Sequence, residues 1–94
     1  MKLVWTRLAL EDLYHARAFL EAVNPPAAQR AIDRIERATE GLLVHPEMGR
    51  PGRFEGTREL VVLGTPFIVP YRVRGDRIEI IGVIHGARRW PGNL

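Results

Sequence analysis

The last apolar run of the chain, "RIEIIGVIH", reads directly into "GARRWPGNL". His85, Arg88, Arg89 and Trp90 therefore crowd together just where a buried strand would end. A histidine titrates near neutral pH and serves as a general acid or base. Arginine offers a planar fork that grips carboxylate or phosphate bidentately, and a tryptophan concentrates binding energy at a contact. Upstream, Glu55 lies just before one strand-like run, Arg58 stands at its start and Arg72 lies in the next. Glutamate, histidine and arginine can together cut RNA. A base takes the 2′-hydroxyl proton, an acid protonates the leaving 5′-oxygen, and cations hold the charge of the phosphorane. The same residues can equally form a contact surface with no reaction of its own. Each also has a structural use: His85 as a polar strand end, the arginines as solvated side chains, Trp90 as cover for the sheet end. His15 and His45 lack partners at ligand spacing and there is no cysteine, so no metal and no cofactor is expected.

Charge is distributed unevenly. The net value is +3, but residues 1–47 carry 6 basic and 7 acidic side chains, and residues 48–94 carry 8 and 4. All eight basic residues of the second half are arginine. An acidic partner, protein or nucleic acid, is expected to dock there.

These residues need a frame. "KLVW" reads as a short strand, and Thr6 can cap the helix that follows. Ala9, Leu13, Ala16, Leu20 and Val23 recur at helical spacing, which predicts an amphipathic helix from about Leu8 to Val23. "NPP" interrupts it; Asn24 can cap a second helix with proline at its first position. Ala28, Ala31, Ile35, Ala38 and Leu42 form the second stripe, ending near Leu43. So short a link makes the pair an antiparallel hairpin. A glycine- and proline-rich stretch, "VHPEMGRPGRFEG", reads as a loop. The runs "TRELVVL", "PFIVPYRV" and "RIEIIGVIH" then read as strands, with Gly75 and Asp76 at a two-residue turn. Pro70 cannot donate to a ladder, so a bulge or an edge is expected beside it. The class is α+β: an N-terminal strand, an antiparallel helical hairpin, and a three-stranded antiparallel meander completing one small antiparallel sheet.

Ninety-four residues, 46% hydrophobic and 27% charged, suit a single globular domain over 1–94. Its core is small enough that a permanent partner is plausible. Arg7, Glu11, Asp12 and Arg17 interrupt the N-terminal apolar residues, so neither a signal core nor a membrane span is expected, and the default location is the cytoplasm.

The order of elements, together with "WTRLALEDLYHARAFL", "NPPAAQRAIDRIERATEGLLVHPEMGRPG", "GTRELVV", "FIVPYRV" and above all "IEIIGVIHGARRWP", resembles the RelE/ParE superfamily of bacterial type II toxins over nearly the whole chain. The resemblance implies a growth-inhibiting toxin of a plasmid-stabilisation or stress module, held in a hetero-oligomer by a cognate antitoxin whose C-terminal segment wraps it. It also implies one of two targets. RelE-like members cut messenger RNA in the ribosome; ParE-like members poison DNA gyrase without known catalysis. RelE-type toxins use lysine and arginine on a strand pair with a C-terminal tyrosine. Here Arg58 falls near one basic position, Leu60 and Ile68 stand at others, and no tyrosine follows "HGARRW". Gyrase poisoning is therefore the preferred expectation. Other nucleases of the superfamily use histidine and glutamate, so His85, Arg58 and Glu55, with Arg88, are the catalytic set if the chain is an mRNA interferase. A third reading is a non-toxic remnant that only binds its antitoxin. Arg58, Arg72, His85, Arg88, Arg89 and Trp90 are the expected target- or antitoxin-binding residues; Arg88 follows the strand at the superfamily's position.

Overall fold

The computed structural model describes residues 1–86. Strand β1, Lys2–Trp5, leads into helix α1, Arg7–Val23, and then α2, Pro25–Gly41. Five further strands follow: β2 (Arg50–Pro51), β3 (Arg58–Val61), β4 (Phe67–Arg74), β5 (Arg77–Ile80) and β6 (Ile84–His85). The helix starts are set by side chains. Thr6 accepts the Ala9 N–H at 3.2 Å, and Asn24 accepts that of Ala27 at 3.3 Å while Pro25 fills the first helical position. The Asn24 N–H in turn closes α1 by donating to Leu20 at 2.8 Å. One residue thus ends one helix and begins the next, which forces the antiparallel hairpin.

The sheet runs β1-β5-β4-β3-β2, with β6 also on β4. The meander β3–β4–β5 is antiparallel as expected. Gly75, at φ +56, and Asp76, whose φ is not positive, turn between the directly paired Arg74 and Arg77, a type II′ arrangement. Two details depart from the sequence reading. Strand β1 joins β5 in parallel, with Leu3 opposite Ile78, so the sheet is mixed rather than antiparallel; the helical hairpin carries the chain back to the same end, which an all-antiparallel sheet does not need. The loop before β3 also contains the two-residue strand β2.

The helices cover one face. Ala9, Ile35, Leu42, Leu60, Val69, Tyr71, Ile78 and Ile80 form the buried centre, with Trp5, Leu13, Ala16 and Leu20 packed around it. Full burial of each large aliphatic side chain contributes about 1.5–3 kcal/mol. Val23, the last member of the first stripe, lies outside this core at 74% exposure, because α1 ends there and the chain turns away into α2.

Candidate functional site

Tyr71 is fully buried on β4. Its hydroxyl donates to the Pro46 carbonyl and accepts the Gly49 N–H, both at 2.8 Å. Arg58 stands opposite Tyr71 on β3. Its guanidinium donates to the carbonyls of Gly49 at 2.8 Å and Glu47 at 3.2 Å. Together they fasten the loop before β2 onto the sheet. A Cβ at Gly49 would lie 2.6 Å from the Tyr71 ring and 2.9 Å from the Glu59 carbonyl, so only glycine lets the loop come this close. Burial raises the Tyr71 hydroxyl pKa, so it stays protonated and keeps its donor role.

Along the other side of β4, the predicted irregularity beside Pro70 is present. Tyr71 pairs with Ile80 and Ile68 with Ile84, which leaves three residues, Ile81–Val83, facing two on β4. This is a bulge. The Pro70 carbonyl accepts the Ile81 N–H at 2.8 Å, so the nitrogen of Pro70, which carries no hydrogen, faces the bulged strand. Asp12 of α1 then accepts the Val83 N–H at 3.0 Å. His85 follows opposite Phe67, their ring centroids 6.1 Å apart in an edge-on arrangement.

The nuclease set inferred from sequence is spread over the fold. Residues paired directly across strands share a face, so Arg58 and His85 both lie on the helix-covered face, opposite Tyr71 and Phe67. They flank β4 on its two sides and sit four residues apart along it. Standard strand spacings put their backbones roughly 16 Å apart. Glu55 is exposed in the turn before β3, beyond the Arg58 end.

The opposite face of the sheet holds a different grouping. Arg72 donates to Glu79 at 2.7 Å; Arg74 and Arg77 approach the same carboxylate at 3.9 Å. Lys2 lies beside Arg77 in the parallel register. Three guanidinium groups thus approach one carboxylate, whose side chain is 12% exposed. The Arg72 hydrogen bond, chiefly, holds the Glu79 carboxyl below the usual carboxylate range. Arg74 and Arg77 keep 60% and 51% of their side chains exposed, leaving their charge available to an anion. Only Arg72 of this cluster was singled out from sequence. The two-residue turn already implied the rest, since it sets Arg74 against Arg77 and Arg72 against Glu79.

Arg88, Arg89 and Trp90 lie outside the described residues. Among the described residues, no group of histidine, aspartate and glutamate is arranged to hold a metal ion, and no helix is long and apolar enough to cross a membrane.

Residues 3–90 match the family described as the ParE toxin of the type II toxin–antitoxin system parDE. The chain is 44% identical over 87 residues to Y4kP of Sinorhizobium fredii, covering 93% of this chain and 90% of that protein. It is 37% identical over 87 residues to toxin RelE2 of Caulobacter vibrioides, covering 93% and 97%. Among solved structures, a chain of the chromosomal ParDE TA system from P. aeruginosa superposes with a TM-score of 0.82 at 31% identity, covering 90% of this chain and 95% of that one.

Proposed function

The chain belongs to the ParE toxin family of type II toxin–antitoxin systems, and from that premise we propose that it arrests growth by poisoning DNA gyrase and is neutralised by a cognate antitoxin. The observation that carries this reading is the separation of His85 from Arg58 and Glu55. A base, an acid and a phosphorane-stabilising cation must all lie within reach of one phosphodiester. Arg58 is instead held by two backbone carbonyls, and Leu60 and Ile68 supply no charge. A protein target needs only a contact surface. Arg72, Arg74 and Arg77 offer one on the sheet; Arg88, Arg89 and Trp90 remain candidate contacts from the sequence alone.

Ribosome-dependent messenger RNA cleavage is the competing reading, supported by the relative named RelE2 and by an exposed His85. Expression in a bacterial host separates them. The chain should stop growth, co-expression of the protein encoded beside it should restore growth, and primer extension should find no new cuts in messenger RNA. Toxin-dependent cuts within reading frames would make the chain an interferase. Normal growth at full expression of folded protein would make it an antitoxin-binding remnant.

A further inference from the structure

The sheet face turned away from the helices carries its charges unevenly. Beside β2, Arg50 meets Glu59 at 2.8 Å. At the β4–β5 hairpin, by contrast, Arg74 stands directly opposite Arg77, and Lys2 of β1 pairs with Arg77 in turn. Directly paired residues share a face, so these three cations form one row across three adjacent strands. Like charges set opposite each other cost stability, and a carboxylate at either hairpin position would remove that cost. The row behind consists of Arg72, Glu79 and Val4. Its carboxylate, Glu79, receives Arg72 at 2.7 Å, with Arg74 and Arg77 at 3.9 Å. Asp76, in the turn itself, is the other acidic residue beside the row. Lys2, Arg72, Arg74 and Arg77 against Glu79 and Asp76 leave a surplus of positive charge.

Access to the row is open. The side chains of Arg74 and Arg77 stay mostly in solvent, Lys2 is exposed, and a Cβ at Gly75 in the turn would meet nothing within 4 Å. The surroundings decide which acidic partner fits. Protein contacts centre on an apolar core depleted of charge and anchored by aromatic rings. The two rows hold a single apolar side chain, Val4, and no aromatic ring. A nucleic-acid backbone needs no such core, because arginine forks and lysine meet its phosphates directly. The row spans two strand spacings, roughly 10 Å, the axial length of about three phosphates on one DNA strand. We infer that the row Arg74–Arg77–Lys2, backed by Arg72, holds the phosphodiester backbone of DNA without reading its sequence, and that the DNA it meets is the segment carried by gyrase. Glu79 draws the three guanidinium groups together, which sets them in place before a phosphate arrives. The inference rests on the gyrase reading for the source of the DNA, not for the affinity of the row.

The first test is binding of the intact chain to a short blunt duplex of mixed sequence, followed by fluorescence anisotropy over a range of salt. Affinity should be alike for unrelated sequences and fall as salt rises. Replacing Arg74→Gln and Arg77→Gln together should lower the slope of log affinity against log salt by about 1–2, since each phosphate contact contributes about 0.9. An unchanged melting temperature certifies the fold. No binding at low salt, or an unchanged slope in the folded double variant, overturns the inference. So does displacement of the duplex by polyglutamate at equal charge, which would make the row a contact for acidic protein. The second test places a photocrosslinker at Asp76→Cys, a unique thiol in a chain without cysteine, in the presence of gyrase bound to DNA. Crosslinks should form to the DNA. Crosslinks to gyrase polypeptide alone overturn the DNA contact and leave the gyrase reading standing. Crosslinks to DNA that are the same with and without gyrase, with no association of chain and enzyme, overturn the gyrase reading and leave the row as a DNA contact.

Discussion

Arg58 and Arg72 stand on neighbouring strands, and their guanidinium groups do opposite work. Arg58 faces the helices and donates to two carbonyls of the loop that Tyr71 also holds. Arg72 faces away from them and shares Glu79 with Arg74 and Arg77. In the first region the polar atoms named are matched with partners inside the protein, so the arginine fixes shape. In the second, three guanidinium groups meet one carboxylate, so positive charge is left over. Residue type alone did not separate an arginine that organises a loop from one that can meet a partner. The face of the strand did.

If this contrast is right, the two regions break differently. The largest effect belongs to Tyr71. Its replacement by alanine should cost about 3–5 kcal/mol, the usual range for an aromatic removed from a core. Tyr71→Phe should cost about 1–3 kcal/mol, because the buried Gly49 N–H and the Pro46 carbonyl lose their partner. Denaturant unfolding measures both; a Phe variant as stable as the parent would mean the loop is not fastened there. Gly49→Ala should lose a comparable about 1–3 kcal/mol through overpacking against the Tyr71 ring and the Glu59 carbonyl.

The outer face should show the reverse pattern. Alanine at Arg74 and Arg77 together should change stability by no more than about 0.5 kcal/mol, as exposed charges do. The same pair should reduce growth arrest, read from colony counts after induction. Full toxicity in the folded double variant would remove the cluster from the contact surface. His85 should give a smaller effect. His85→Gln should largely keep toxicity, and His85→Ala should weaken it by the value of a neutral hydrogen bond, on the order of 1 kcal/mol. A general acid or base would instead lose roughly a hundredfold in both variants.

The smallest effect is a pH dependence. The folded pKa of Glu79 lies below the ordinary 4.5, so its contribution is complete above that value and is lost as pH falls through the folded pKa. The stability difference between the parent and Glu79→Gln should therefore shrink on acidification below 4.5. A difference that is constant with pH would show that the arginines do not favour the ionised carboxylate.

Much of this frame was legible in the sequence, and the reasons are local. Thr6, Asn24 and Pro25 announce the helix starts because capping acts over three residues. Gly75 and Asp76 fix the hairpin register because a two-residue turn leaves no slack. Pro70 announced the bulge, since a missing N–H must be accommodated somewhere. What was hidden depends on distant contacts. The use of Arg58 depends on Gly49, Glu47 and Tyr71, which meet only when the loop folds back. The partner of Val83 is Asp12, 71 positions away. The parallel seat of β1 depends on where the helical hairpin returns the chain. The separation of His85 from Arg58 follows from register across three strands, which no motif within one strand records.

The most direct measurement is a supercoiling assay with purified DNA gyrase and the purified chain, run with and without its antitoxin. Gyrase poisoning requires that the chain alone block supercoiling or trap gyrase-cleaved DNA, that the antitoxin reverse this, and that Arg74→Ala with Arg77→Ala weaken it. Unimpaired supercoiling by gyrase, at chain concentrations that arrest growth in cells, would contradict it.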